Sequence, residues 1–334
     1  MRMKNILSSR QRDLMIRLNR ILKFEAAGYL YCSFFYANIT DGWMVFDIET
    51  IPKEEKQLNI GFIGAGKVGC TLGKYFKQDS ETTIAGYYSR SSDSANDAAR
   101  FTDSKSYRDL SELIDACDMI FLTVPDGSIR DTWNKIKGYD IREKFICHCS
   151  GSMSCDDAFD GIEETGAFGY SAHPLFAVSD KYNAYRELTG VFFTLEEASD
   201  NASRGSADAK DAVATGPGIA ALQGLFDRLG NPTGIIDGKD KTTYHCAAAM
   251  ASNLVCGLID QSIELMKRCG FTEETAVQAL APILMGNMSH IADKGPTASL
   301  TGPIERNDIE TVRKHLDCLE DGDEKEIYCL LSSR

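Results

Sequence analysis

The run Leu58-Asn59-Ile60-Gly61-Phe62-Ile63-Gly64-Ala65-Gly66-Lys67-Val68-Gly69 decides how this chain reads. Its first half is a short apolar run ending in glycines, the pattern of a buried strand. Its second half is G-x-G-x-x-G and opens a helix predicted over 67–76. A glycine fingerprint by itself says little, but between a strand and a helix it is a phosphate-binding turn. Gly64 permits the tight turn, Gly66 lets the backbone approach a pyrophosphate, and Gly69 allows close helix–strand packing. The helix N-terminus offers unpaired N–H groups and a partial positive charge to the phosphates. Gly64, Ala65, Gly66, Lys67, Val68 and Gly69 are therefore the candidate dinucleotide-binding residues.

Outward from this turn the pattern repeats. Strands are predicted over 82–88, 119–124 and 145–149, with helices over 94–101 and 126–136 and a short helical piece over 110–114. Further strands near 166–171, 191–195 and 233–236 and a helix over 220–229 extend the series. Strands alternating with helices mean a parallel sheet of βαβ units, an α/β Rossmann domain over 58–237. Within it, 196–218 is rich in Ala, Ser, Asp and Gly and reads as a flexible insertion. From Lys239 helical patterns take over, at 241–269, 272–288 and 309–319, with a short helix near 324–331. Gly270 is the expected C-cap of the first, Thr272 the N-cap of the second, and Asn307 opens a capping box onto the third. Residues 238–334 thus read as an all-helical domain.

The second strand selects between the two nicotinamide dinucleotides. An acid about 20 positions past the glycines would bind the ribose 2′-hydroxyl of NAD. This strand instead ends Tyr88-Ser89-Arg90-Ser91-Ser92. Arg90 is suited to a 2′-phosphate, and Ser89 and Ser91 to hydrogen bonds with it, which favours NADP over NAD. Ligands of open α/β sheets sit beyond the carboxyl ends of the strands, so Val124, Pro125 and Asp126 are expected beside the nicotinamide-ribose. An ordinary strand-to-helix turn begun by Pro125 is the competing reading.

Three clusters could face that cofactor: His148-Cys149-Ser150-Gly151, Ala172-His173-Pro174-Leu175, and the helical set Lys241, His245 and Asn253. At 100° per residue the last three fall on one helix face about 120° wide. Polar side chains on a buried helix need partners, either in a pocket or in internal hydrogen bonds. Hydride transfer to a carbonyl or imine needs a proton donor and a group that polarises the acceptor. Lys241 and His245 have that chemistry, with His173 and Ser150 as alternatives.

The chain from about Asn59 onward resembles Rossmann-like proteins with a C-terminal domain of unknown function 2520. These are relatives of pyrroline-5-carboxylate reductase, prephenate dehydrogenase and the beta-hydroxyacid dehydrogenases. The fingerprint, His148-Cys149-Ser150-Gly151, His173-Pro174-Leu175, Lys241-Thr242-Thr243-Tyr244-His245 with Asn253, and the stretch from Leu300-Thr301-Gly302-Pro303 through Arg306-Asn307-Asp308 carry the resemblance. It implies an NADP-binding domain, a helical domain akin to the C-terminal domain of 6-phosphogluconate dehydrogenase, and a homodimer made through those helices. Beta-hydroxyacid dehydrogenases carry a catalytic Lys, matched by Lys241, and an Asn four residues later, where this chain has His245. That departure argues against a beta-hydroxyacid substrate. The Gly/Thr-rich stretch of pyrroline-5-carboxylate reductases is also not evident. Beside the Gly302-Pro303 break, Arg306 and Thr301 are candidates to hold a substrate carboxylate; a loop-stapling ion pair is the structural alternative for Arg306.

Composition narrows the classes. With 49 acidic against 36 basic residues the net charge is −13, which argues against broad nucleic-acid binding. No uninterrupted apolar run of about 18 residues occurs, so no membrane span is expected. Eleven scattered cysteines without a Cys-x-x-Cys pair read as reduced thiols in the cytoplasm, and no metal site is expected; zinc at Cys147-His148-Cys149 has the wrong spacing. Residues 1–57 read as an accessory extension, basic at its start and resembling an organellar presequence in charge alone, or as a start placed ahead of Met44. The expected function is an NADPH-dependent reductase of a small carbonyl or imine acid. A non-catalytic NADP(H) sensor or scaffold and a deazaflavin-dependent reductase are the alternatives.

Overall fold

The structure is a computed structural model; it describes residues 57–201 and 216–333, together with two pairs of two-residue strands upstream, Glu25–Ala26 with Tyr29–Leu30 and Ile39–Thr40 with Trp43–Met44. The expectations for the rest of 1–56 and for the core of the insertion, 202–215, lie outside the described residues. The chain divides into two compact units, Met1–Lys241 and Thr242–Arg334.

The first unit is built on an eight-stranded sheet. Its strands are β1 (Leu58–Ile63), β2 (Thr82–Tyr88), β3 (Lys105–Tyr107), β4 (Met119–Leu122), β5 (Phe145–His148), β6 (Phe168–Pro174), β7 (Phe193–Glu197) and β8 (Thr233–Ile235). Their spatial order is β8-β7-β6-β5-β4-β1-β2-β3, so the direction of winding reverses between β1 and β4. Apolar side chains on both faces of β1 and β4 explain why these strands are central: Phe62 and Phe121 face one layer of helices, Ile63 and Leu122 the other, all at most 4% exposed. α1 (Lys67–Phe76), α2 (Ser92–Thr102) and α7 (Pro217–Arg228) cover the first face through Leu72, Phe76, Ala98 and Leu222. α3 (Leu110–Asp115), α4 (Ile129–Ile136), α5 (Cys155–Ala158) and α6 (Ile162–Thr165) cover the second through Leu113, Trp133, Cys155 and Ile162.

The all-parallel expectation fails at one pairing: β7 runs antiparallel to β6, and β8 pairs parallel with β7, so these two strands oppose the other six. A parallel return needs a crossover, commonly a helix. Between Pro174 and Phe193 the chain forms only the 3-10 turn Ala184–Glu187. β7 runs on to Glu197, and α7 begins at Pro217, so both ends of the expected insertion belong to regular elements.

The second unit contains α8 (Lys241–Ala251, which starts on the last residue of the first unit), α9 (Asn253–Arg268), α10 (Glu273–Lys294), α11 (Pro296–Ser299), α12 (Ile309–Cys318) and α13 (Asp323–Ser332). The helix predicted over 241–269 is broken at Ser252 (φ −126°, ψ −78°), whose hydroxyl donates to the Ala248 carbonyl. That break changes the helical phase, so the shared face computed for Lys241, His245 and Asn253 does not extend to Asn253. The third helix is capped by Asp308, which accepts from the Thr311 N–H; Asn307 sits at φ +55° before it. Thr272 caps α10 as expected. The stretch Gly238–Arg268 is long and apolar enough, by length and composition, to cross a membrane. Asp260, Glu264, Lys267 and Arg268 punctuate its second half.

Candidate functional site

Gly64 ends β1 at φ +111°, and a Cβ there would lie 2.6 Å from the Thr123 carbonyl oxygen, so only glycine fits. The Thr123 hydroxyl closes the contact by donating to the Gly64 carbonyl at 2.8 Å. Gly69 lets α1 approach the sheet, because its Cβ would meet the Gly64 oxygen and Thr123 Oγ1, each at 2.5 Å. Gly66 differs from both. A Cβ there would meet nothing within 4 Å, its φ of −80° suits any residue, and no side chain caps the helix it opens. Nothing inside the protein requires glycine at 66. The open side of the loop and the uncapped first turn fit a diphosphate, which would take the N–H groups of Lys67, Val68 and Gly69. Lys67 is exposed, Val68 half-buried, and Ala65 buried.

β2 brings Ser89, Arg90 and Ser91 to the same edge of the sheet. Arg90 is exposed, and the Ser91 hydroxyl caps α2 by accepting from the Ser94 N–H at 3.2 Å. Ser91 is thus partly committed to the helix, which the sequence reading did not foresee.

The ends of β4 and β5 are joined by one short bond. Ser150 Oγ donates to Asp126 Oδ2 at 2.6 Å and accepts from the N–H groups of Met153 and Ser152 at 3.1 and 3.3 Å. Val124 is half-buried and Pro125 exposed beside them. The loop after β5 and the loop after β4 therefore form one hydrogen-bonded rim next to the Gly64 turn.

Beneath this rim lies a polar row absent from the sequence reading. His148, Ser171 and Glu196 are register neighbours on β5, β6 and β7, and each is at most 2% exposed. Lys241 ends among them, itself 1% exposed. Its Nζ donates to Ser171 Oγ at 2.6 Å and to the Ser150 carbonyl at 2.8 Å, and it lies 3.3 Å from Glu196 Oε2. The last contact is an ion pair without hydrogen-bond geometry, since Oε2 has no hydrogen-bond partner. Glu196 Oε1 accepts from the Cys155 N–H at 2.7 Å. Burial holds the Glu196 carboxyl above its usual range against the opposing charge of Lys241. Burial also keeps His148 neutral, with help from Lys241, and pushes the Cys149 thiol up to about 12.

His148, Cys155 and Glu196 offer metal-ligating atoms within 4.8 Å of one another. The zinc triplet weighed from sequence was a different one; Cys147 and Cys149 are not in this cluster. Two features oppose a cation here. The Ser150 N–H points at His148 Nδ1 at 3.2 Å, which leaves the ring proton on Nε2, the atom that faces Cys155 Sγ at 3.9 Å. The Lys241 ammonium already neutralises Glu196.

The structure thus brings together Ser150, Asp126 and Lys241, and adds Glu196 and Ser171. His173 lies two residues beyond Ser171 on the same strand face, half-buried, and opposite Thr194. His245, Asn253, Thr301 and Arg306 are exposed residues of the second unit. Glu196 was missed because it closes an apolar run where the insertion was expected to start. An acid within a strand flanked by buried Leu195 and Ala198 was the available signal.

No curated protein sequence matches this chain. Among solved structures, protein TM1727 from Thermotoga maritima is similar with a TM-score of 0.60 at 22% identity, over 82% of this chain and 95% of that one. A Bacteroides fragilis protein proposed to be an NADP oxidoreductase matches with a TM-score of 0.59 at 20% identity, over 84% and 98%. The 1-pyrroline-5-carboxylate reductase of Streptococcus pyogenes gives 0.52 at 16% identity, over 83% and 91%. At such identities the likeness is one of fold. The Rossmann-like domain family matches residues 48–174, and the family described as Domain of unknown function (DUF2520) matches residues 212–334. The chain thus carries a Rossmann-like domain followed by a domain of unknown function 2520.

Proposed function

We propose that this protein is an NADPH-dependent oxidoreductase acting on a small carbonyl or imine acid. The observation that carries the reading is the open Gly66 turn at the β1/β4 reversal, next to a second strand that ends in Arg90 and serines instead of an acid. Bound NADPH would supply a hydride to the acceptor carbon. The chain must then supply a proton to the acceptor oxygen or nitrogen and hold the substrate. Ser150 with Asp126, and His173, are the groups of the first unit offered for that work. His245 is the proton donor offered by the second, with Asn253, Thr301 and Arg306 as substrate-holding groups.

The first test is a fluorescence titration with NADPH, NADH and a reduced deazaflavin, followed by a screen of oxo acids and cyclic imines. NADPH should bind most tightly. Arg90→Ala should weaken NADPH about 10- to 100-fold, a loss of roughly 1.4–2.8 kcal/mol, and leave NADH within about threefold. Equal losses for both nucleotides would remove Arg90 from 2′-phosphate recognition. A second reading, a nucleotide sensor without turnover, is favoured by one observation: the internal partners of Lys241 occupy the ammonium expected to work on substrate. Tight NADPH binding with no oxidation across the screen would select it.

The same reading includes a cytoplasmic homodimer. The ten cysteines described are all free thiols. Among the described residues of the second unit only Ala276 and Ser299 are buried, while Leu254, Ile283 and Met285 are 62%, 67% and 73% exposed. Apolar surface of this extent on helices with little core of their own calls for a covering partner, and a second copy of the chain is proposed. Ile283→Glu should shift sedimentation from dimer to monomer; a monomeric unmodified protein at micromolar concentration would overturn the dimer.

A further inference from the structure

Lys241 was singled out from the sequence as a group that works on substrate. We infer instead that Lys241 and Glu196 form a buried positioning pair that clamps the loop 149–154 and, through Ser150, sets the nicotinamide side of the cofactor site. This inference rests on the NADPH reading above and gives that site a residue, Glu196, to which no role has been assigned.

The ammonium has three protons. Two are given to the Ser150 carbonyl and Ser171 Oγ, and the remaining side faces Glu196 at 3.3 Å. At 1% exposure, with these three groups around it, the ammonium is enclosed by the protein rather than presented to a ligand. The pair grips the loop at both ends. Lys241 holds the Ser150 carbonyl just after β5, and Glu196 Oε1 holds the Cys155 N–H where α5 begins. Between these points Ser150 Oγ gathers the N–H groups of Ser152 and Met153 and donates to Asp126 at the end of β4. Gly238 packs against the same carboxylate, since a Cβ there would lie 2.7 Å from Oε1. One line of contacts therefore runs from β7 through Lys241 and Ser150 to Asp126. In an open α/β sheet the ends of these strands border the nicotinamide half of a dinucleotide, whereas the Gly66 turn and Arg90 serve its diphosphate and adenosine half.

The clamp thus predicts a loss confined to half the ligand. The variant Lys241→Met/Glu196→Gln removes both charges while keeping the side chains' size, and the Gln amide oxygen keeps a partner for the Cys155 N–H. It should weaken NADPH about tenfold and leave 2′,5′-ADP, which lacks the nicotinamide half, within about twofold of the unmodified protein. Ser150→Ala cuts the same line at its other end. It should give the same selective loss, and combining it with the pair should add little, because neighbours in one network are not additive. Thermal melts establish that each variant is folded; if the double variant is not, Ser150→Ala carries the test alone. Unchanged NADPH affinity, or equal weakening of both ligands, would overturn the clamp. If the unmodified protein binds neither ligand, the nucleotide reading itself fails and the clamp falls with it.

Discussion

Gly66→Val is expected to leave the protein folded and to abolish NADPH binding. The backbone at 66 sits at φ −80° and ψ −163°, which valine adopts, and the space around its Cβ is open. Replacing glycine at this helix-opening position should cost about 1 kcal/mol or less of stability. The valine methyls, however, would fill the volume through which a diphosphate reaches the N–H groups of the first turn. A loss of at least about 100-fold in affinity, roughly 2.7 kcal/mol, is expected. Gly64→Ala is the control of opposite sign. Its Cβ would sit 2.6 Å from the Thr123 oxygen at a φ of +111°, so it should destabilise the fold by about 3 kcal/mol or more. Melting curves and NADPH titrations on the two variants separate the roles. If Gly66→Val binds NADPH normally, the turn does not hold the diphosphate.

Replacing Lys241 alone by methionine should produce a protein whose stability falls as pH rises. Burial already raises the Glu196 carboxyl above 4.5 in the folded state, with Lys241 as the largest opposing influence. Without the ammonium the folded value climbs further, while the unfolded value stays near 4.5. A carboxyl whose folded value lies above its unfolded one binds its proton more tightly in the fold. Its contribution is fully present below the unfolded value and is lost as pH rises through the folded value. The variant should therefore be closest to the unmodified protein at about pH 4–5 and weakest at neutral pH and above, by about 3–5 kcal/mol, the usual cost of leaving one member of a buried pair alone. Adding Glu196→Gln should remove the extra pH dependence and recover part of the stability. Urea unfolding at pH 5 and pH 8 checks this. Parallel pH profiles for the unmodified protein and Lys241→Met would show that Glu196 does not depend on Lys241.

Much of the first unit is legible in the sequence alone. The strand at Leu58–Ile63, the helix at Lys67–Phe76 and the strand at Thr82–Tyr88 follow from apolar runs and glycine placement. These are local signals, since backbone sterics and the period of the apolar residues act within a few positions. The roles of Gly64 and Gly69 were legible for the same reason: a tight turn and a close approach are written in the residues that make them. The three-residue strand Lys105–Tyr107 was not predicted, having two exposed residues and no apolar pattern to announce it. The sense of β7 was hidden because direction depends on what connects two strands, and residues 175–192 form only a 3-10 turn where a parallel crossover commonly has a helix.

What the chain alone determined is the glycine turn at 64–69, its flanking elements and the absence of an acid at the end of the second strand, because each is a matter of neighbouring residues. Only the tertiary structure decided what Lys241 touches. Its partners lie 91, 70 and 45 positions away, at Ser150, Ser171 and Glu196, and a buried charge takes its meaning from whatever the topology brings within about 3 Å. No spacing along the sequence encodes that meeting, so a lysine that read as a reactive group is found bonded to the Ser150 carbonyl and Ser171.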